Sequence, residues 1–505
     1  MQIIDCDACF GFRVAGGPEC SIETLLAAER AQGVSYVMAY SMKARAYDAR
    51  EGNDDALQAA REHDEILPVA AVDPRLGYRF EDEIARVAKL GFVALRVFPD
   101  VQGWAVDSGL FTSIADACNT HGLPLMLAAK TAGTASEVLR RTEHTSNPIV
   151  LLGPGYGVLG EALTAAAARQ DTLVSTSQFI TPGVFEIAAE MVGARNLAFG
   201  SASPDSCIRP AVNMILGSEL SKQDQAKVLG DNIRGVIDTQ LAKLGKTLSK
   251  TVDEAVYTAG RYAGPIIDVH GHLGPWPFPM RNPDAACVRD PMARWGITKT
   301  ILSHTKAIVN DFVEGNAELA RAIGGSDDLY GYITINPNYP DLSVRELDRY
   351  LDHPSFVGVK MHPGYTTASI DGPETLKLTA RFASRRLPFL VHTWGPAEVA
   401  KIGRLAEHFP DLPIIMGHGG ANGWREAIDV LKNTRNTYTE FCNSSIEPGK
   451  VRATIDAAGA DRVLFGTDAG LFDPAFCMGV YEEANLTPDE QQAILRDNAA
   501  KLFGL

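Results

Sequence analysis

The chain lacks several things that would each have named a function class. No run of about 18 uninterrupted apolar residues occurs, so a membrane-spanning helix is not expected. There is no basic surplus. A formal net charge of -15 excludes a broad phosphate-binding surface, and with it an expected nucleic-acid partner. The start, Met1-Gln2-Ile3-Ile4-Asp5, has neither the basic region nor the apolar core of a secretory leader. The eight cysteines follow no regular spacing, which points to reduced thiols and a cytoplasmic location with no membrane partner. The one close pair, Cys6-x-x-Cys9, is read as a strand with one inward and one outward side chain. Histidine is scarce in the first half, which holds only His63, His121 and His144 of the 11.

What is present is a repeat. A chain of 505 residues is too long for one hydrophobic core. Asp5 matches Asp268, and Glu51-Gly52-Asn53 matches Glu314-Gly315-Asn316, both at an offset of 263. Phe92-Val93-Ala94-Leu95-Arg96 matches Phe356-Val357-Gly358-Val359-Lys360 at 264, and Asp231-Asn232 matches Asp497-Asn498 at 266. An offset held this closely over the whole length is a domain-scale duplication, far longer than a solenoid repeat of roughly 20 to 50 residues. Residues 1–245 and 265–505 are the two copies, with 246–264 as linker and a short helix expected over 251–259.

Each copy alternates short apolar runs with helical patterns. In the second these are Lys299–Leu302, Leu329–Ile335, Val357–Met361, Phe389–His392, Ile414–Gly417 and Val463–Gly466, with helices across Ser343–Tyr350 and Pro396–His408. Parallel strands with crossover helices follow. About 250 residues per copy is the size of a (β/α)8 barrel. The fold class is therefore α/β, as two tandem (β/α)8 TIM-like barrels. A doubly wound open sheet is the alternative, but no Gly-rich phosphate loop follows the first strand.

Barrel enzymes carry their chemistry at the C-terminal ends of the strands. There the second copy places His270-x-His272, Lys360-Met361-His362, His392, His418 and Asp468. Residues two apart on a strand share a face, so His270 and His272 point together, and imidazoles with a carboxylate are the ligands of zinc and similar ions. His304, Trp394, Arg281 and Arg289 are candidate pocket residues. His353 and His408 read as solvated.

On these motifs the second copy, from about Pro265 to Leu505, resembles the amidohydrolase superfamily, in the amidohydrolase-2 branch that includes aminocarboxymuconate-semialdehyde decarboxylase. The HxH pair, the strand-five His392, His418-Gly419-Gly420, Gly466-Thr467-Asp468 and the closing Asp497-Asn498-Ala499-Ala500-Lys501-Leu502-Phe503-Gly504 carry the likeness. The resemblance implies one divalent metal, zinc or manganese, held by His270, His272, His392 and Asp468, and no other cofactor. It implies His418 as a nearby acid/base or oxyanion-stabilising group. In binuclear relatives a strand-four lysine is carboxylated and bridges two metals; Lys360 would do that, contact an anionic substrate, or turn away. Asp468 would serve as general base on a metal-activated water. His362, Trp394 and His304 are expected against a small-molecule substrate. The leading expectation is a metal-dependent hydrolase of a small carboxylated, ester, lactone or amide substrate. The alternatives are a non-oxidative decarboxylase and an inert scaffold or binding pseudoenzyme.

Carried back by the offset, His270 becomes Asp7, His272 becomes Cys9, His392 becomes Ala128, His418 becomes Gly153 or Pro154, Asp468 becomes Ala202 and Lys360 becomes Arg96. The first copy cannot rebuild the site. Arg96 is expected to face Asp5 or Asp7. An intrachain pseudo-dimer of the two barrels, with further homo-oligomerisation open, would explain why the copy persists.

Overall fold

The computed structural model describes residues 1–14, 16, 20–76, 79–278, 284–444 and 446–505. The chain divides into two compact units, Met1–Ala259 and Gly260–Leu505. In the first, eight parallel strands follow in chain order: β1 (Ile4–Phe10), β2 (Tyr36–Ser41), β3 (Ile66–Ala71), β4 (Ala94–Val97), β5 (Leu125–Ala128), β6 (Ile149–Leu152), β7 (Thr172–Ser175) and β8 (Leu197–Ala198). The Cys6 amide donates to Phe199 O at 3.0 Å and Ala8 bridges to Ser203, so the sheet closes on itself. Nearly every strand residue is buried, as expected when both faces of a parallel sheet are covered.

The second unit repeats this with β9 (Ile266–Leu273), β10 (Ile297–His304), β11 (Leu329–Thr334), β12 (Phe356–Met361), β13 (Phe389–Val391), β14 (Ile414–Met416) and β15 (Thr437–Thr439). Residues 463–469 take the eighth place. Leu464 N donates to Thr439 O at 2.8 Å, Val269 N to Phe465 O at 3.0 Å and His272 N to Ala469 O at 2.7 Å. One core cluster contains Val269, Ile301, Tyr332, Leu390, Ile415 and Leu464.

The repeated sequence marks turn out to be structural struts. Asp268 accepts from Thr467 Oγ1 (2.5 Å) and from the amides of Thr467 and His270 (3.0 Å each), tying the first strand to the eighth beside the HxH pair. Asp5 does the same with Ser201 and the Asp7 amide. Burial pushes both carboxyls up to about 7. Gly315 is needed because a Cβ there would lie 2.3 Å from Ala307 N, and at Gly52 one would lie 2.0 Å from Ala44 N. The neighbouring Asn316 donates to Thr334 O and accepts from Thr334 N, both at 3.0 Å, clamping its helix (Phe312–Ile323) to β11; Asn53 clamps Ala71 likewise. Asn316→Ala strips a buried strand amide of its partner, so it should lower stability by about 1–3 kcal/mol, read as an earlier urea midpoint. The same midpoint in variant and parent would contradict the strut.

The expected linker, 246–264, is divided between the units. Its first part is laid onto the first barrel. Val252 N donates to Met1 O at 2.8 Å, the Met1 amine returns a bond to Val252 O, and the Tyr36 hydroxyl accepts from the amides of Ser249 and Lys250. Within 251–259 the expected helix is one 3-10 turn, Glu254–Tyr257.

Candidate metal centre and active site

His270 and His272 end β9, Lys360 lies in β12 with His362 just beyond it, His392 follows β13, His418 follows β14 and Glu440 follows β15. All sit at the C-terminal end of the barrel; His392 is partly exposed and the others are buried. Asp468 leaves the eighth position in a left-handed conformation, φ +56°, with its amide donating to His270 O at 2.6 Å. A non-glycine residue in that region is strained, and such strain is held where it aims a functional group.

Hydrogen bonds orient the imidazoles. Glu440 Oε1 faces His270 Nδ1 at 2.9 Å and accepts from the His418 amide at 2.7 Å; its Oε2 accepts from the Cys442 amide at 2.7 Å. An acceptor-only carboxylate at Nδ1 makes that nitrogen the donor and leaves the Nε2 lone pair of His270 facing the site. His418 Nδ1 faces the carbonyl oxygen of Cys442 at 2.5 Å and must donate. In the neutral ring His418 Nε2 then accepts from His392 Nδ1 at 2.8 Å, which leaves His392 Nε2 unprotonated. His272 Nδ1 pairs with Ser303 Oγ at 3.0 Å. Burial, more than any charge, lowers the pKa of His270, His272, His362 and His392, keeping them neutral as metal ligands require.

Ligand atoms of His270, His272 and Asp468 lie within 4.8 Å of one another. Asp468 Oδ1 is 2.7 Å from His272 Nε2 and 3.8 Å from His270 Nε2, and no donor is well aligned on this buried oxygen. Ligand atoms this close, with a carboxylate oxygen poorly served by hydrogen bonds, suit a shared cation. Burial raises the Asp468 pKa, but His272, His270 and His418 together hold it well below the carboxylate range. His392 lies outside this triple and stands beside it through His418. A second grouping, His270, His418, Glu440 and Cys442, is already consumed by the hydrogen bonds among its own members.

Lys360 is fully buried and turned inward, with Nζ 2.6 Å from His270 Nε2, so it does not turn away from the site. Burial lowers its pKa to about 8. It shares with any metal the same His270 lone pair. His362 stacks on His392 at 3.8 Å, and Trp394, half-exposed, stacks on the same ring at 5.9 Å. His304 instead caps the helix Thr305–Val309, accepting from the Lys306 amide, and borders a separate 560 Å³ cavity with Gly274, Lys306 and Glu318. Arg289 pairs with Asp328 at the N-terminal end of β11, away from the site. Arg281 lies outside the described residues. His353 accepts from the Ser355 amide, and His408 is exposed.

The sequence reading missed Glu440, Cys442, Trp276 and Tyr365. Trp276 meets His272 edge-on at 4.9 Å and stacks with Tyr365 at 6.4 Å, so aromatic rings wall the centre.

The family model described as Amidohydrolase matches residues 16–237 and 267–505. The chain belongs to this amidohydrolase family. No curated protein matches it in sequence. Among solved structures, a 2,6-dihydroxybenzoate decarboxylase from Rhizobium is similar at 18% identity and TM-score 0.41, over 48% of this chain and 99% of its own. A dihydroxybenzoic acid decarboxylase from a Polaromonas species, with bound manganese and an inhibitor, gives 18% and 0.40, over 48% and 97%. A probable 2-pyrone-4,6-dicarboxylic acid hydrolase from Acinetobacter baumannii gives 14% and 0.38, over 48% and 99%.

Within this amidohydrolase the first barrel keeps the site's backbone and loses its donors. Ala202 has φ +63° where Asp468 has +56°, and Gly153 has +58° where His418 has +62°, which settles Gly153 over Pro154 as the counterpart. Ser175 stands for Glu440: a Cβ on Gly200 would strike Ser175, as one on Gly466 would strike Glu440. Arg96 Nη1 meets Asp7 Oδ1 at 2.5 Å, so a salt bridge fills the place of the first ligand.

Proposed function

We propose that the second barrel is a metal-dependent hydrolase of a small ester, lactone, amide or carboxylated substrate. The observation that carries it is Asp468 Oδ1, buried with no well-aligned donor 2.7 Å from His272 Nε2 and 3.8 Å from His270 Nε2. His270, His272 and Asp468 would hold a divalent ion, with His392 Nε2 as a further ligand. Such an ion supplies Lewis acidity and a water acidified towards neutrality. Asp468, held ionised, takes a proton from the attacking water and returns it to the leaving group. Lys360 binds developing or substrate negative charge. His418 has its N–H committed to Cys442 O, so it positions His392 and does not donate to substrate. Glu440 holds His270 in the ligating tautomer.

A decarboxylase is the second reading, favoured by the flat walls of Trp276, Tyr365 and Trp394 around a buried lysine, a setting for an aromatic carboxylate. Metal-loaded protein offered esters, lactones, amides and aromatic carboxylates separates the two. Acid release without carbon dioxide is the expected result; carbon dioxide from an aromatic acid alone would replace hydrolysis by decarboxylation.

Glu440→Gln should weaken metal affinity by about 10–100-fold with the fold intact, as loss of a ligand-orienting carboxylate does. Titration with zinc or manganese under a competing chelator measures this. Unchanged affinity would remove Glu440 from the site.

A further inference from the structure

The mouth of the first barrel, emptied of metal ligands, carries a different group of reactive side chains. Cys9 occupies the place of His272 at the end of β1. Its Sγ lies 4.0 Å from Cys20 Sγ, and Arg13 Nη2 stands 3.2 Å from the Cys9 sulfur and 3.8 Å from that of Cys20. The backbone holds the two cysteines together: Gly11 N donates to Cys20 O at 2.5 Å, and the Cys20 sulfur sits 3.2 Å from Cys9 O. Arg13 is itself anchored by Asp205 and is only 13% exposed, so it covers both buried sulfurs.

This arrangement argues against a metal. A guanidinium within hydrogen-bonding reach of both sulfurs repels a cation, and among the described residues the metal-holding groups lie in the second barrel. The same guanidinium stabilises a thiolate. We propose that Cys9 and Cys20 are a redox-active dithiol that reacts with small hydroperoxides, Cys9 attacking and Cys20 resolving. The hydrogen bond from Cys20, with Arg13 adding to it against burial, brings the Cys9 thiol down to about 7, while that of Cys20 is raised.

The Cys9 thiolate attacks one peroxide oxygen; a sulfur–oxygen bond forms, the oxygen–oxygen bond breaks, and the alkoxide or hydroxide leaves and is protonated by water. Cys9 is then a sulfenic acid. Cys20 sulfur attacks Cys9 sulfur, the sulfur–oxygen bond breaks, and the departing hydroxide takes the Cys20 proton as water. The dithiol has lost two electrons and the peroxide has gained them. A disulfide needs the sulfurs about 2.0 Å apart, so side-chain rotation must bring them closer from 4.0 Å. An external thiol reductant restores the pair.

The test is peptide mapping of the full chain after brief exposure to stoichiometric hydrogen peroxide and alkylation of the remaining thiols. The expected result is a Cys9–Cys20 linked peptide lighter by two hydrogen atoms, abolished by dithiothreitol, with Cys118 still alkylated. Arg13→Ala should slow linkage about tenfold, because less of Cys9 is thiolate. In Cys20→Ser a sulfenic acid on Cys9 should be trapped by dimedone. Cys9 and Cys20 both fully alkylated after peroxide would overturn the proposal. So would oxidation of Cys9 without linkage in the parent chain, a readout that needs no variant to fold.

Discussion

Asp468→Asn lowers kcat/KM by about a thousandfold while the protein stays folded. The amide keeps the size and the left-handed turn, since asparagine tolerates φ near +56°. It removes the charge that completes the cation site and the oxygen that accepts the proton, and general acid–base steps are worth roughly 10²–10⁴-fold. Thermal melting of the variant should match the parent without metal and lose the upward shift that metal gives the parent. Turnover within a few fold of the parent would mean that another group is the base and that Asp468 is structural.

Arg96→Ala destabilises the first barrel by about 3–5 kcal/mol, because it leaves Asp7 buried and unpaired. The guanidinium also stacks against Tyr40 at 4.8 Å and Phe98 at 5.3 Å, so packing is lost with the charge. The double change Asp7→Asn with Arg96→Met should recover most of the loss, since a buried pair is replaceable by groups that need no charge partner. Calorimetry of the full chain measures both. A melting profile unmoved by Arg96→Ala would show that the pair does not replace the vacated ligand.

Much of the site was legible because a parallel strand announces its own end: an apolar run stops, and the next polar residue stands at the barrel mouth. His270, His272, Lys360, His392 and His418 were all placed this way. Glu440 escaped because β15 is only Thr437-Tyr438-Thr439, with no apolar run to mark it. A barrel needing one more strand between Met416 and Val463, and a carboxylate after a β-branched stretch, was the available signal. The aspartates at 5 and 268 were visible as repeat marks, but their role as struts depends on Ser201 and Thr467, nearly 200 residues on. The thiol pair was hidden for the same reason. Cys6-x-x-Cys9 drew attention through spacing along the chain, whereas the contact of Cys9 with Cys20 is one that spacing does not encode. The single gap at Gly153 became readable only through backbone angles, because alignment of short apolar runs tolerates a slip of one residue.

Metal analysis of the full chain decides whether metal chemistry belongs to the second barrel alone, by comparing the parent with a His270→Ala/Asp468→Ala variant and with Asp7→Asn. Stoichiometric divalent metal is expected in the parent and in Asp7→Asn, and none, with no turnover, in the double variant. Undiminished metal in the double variant would place the ion elsewhere.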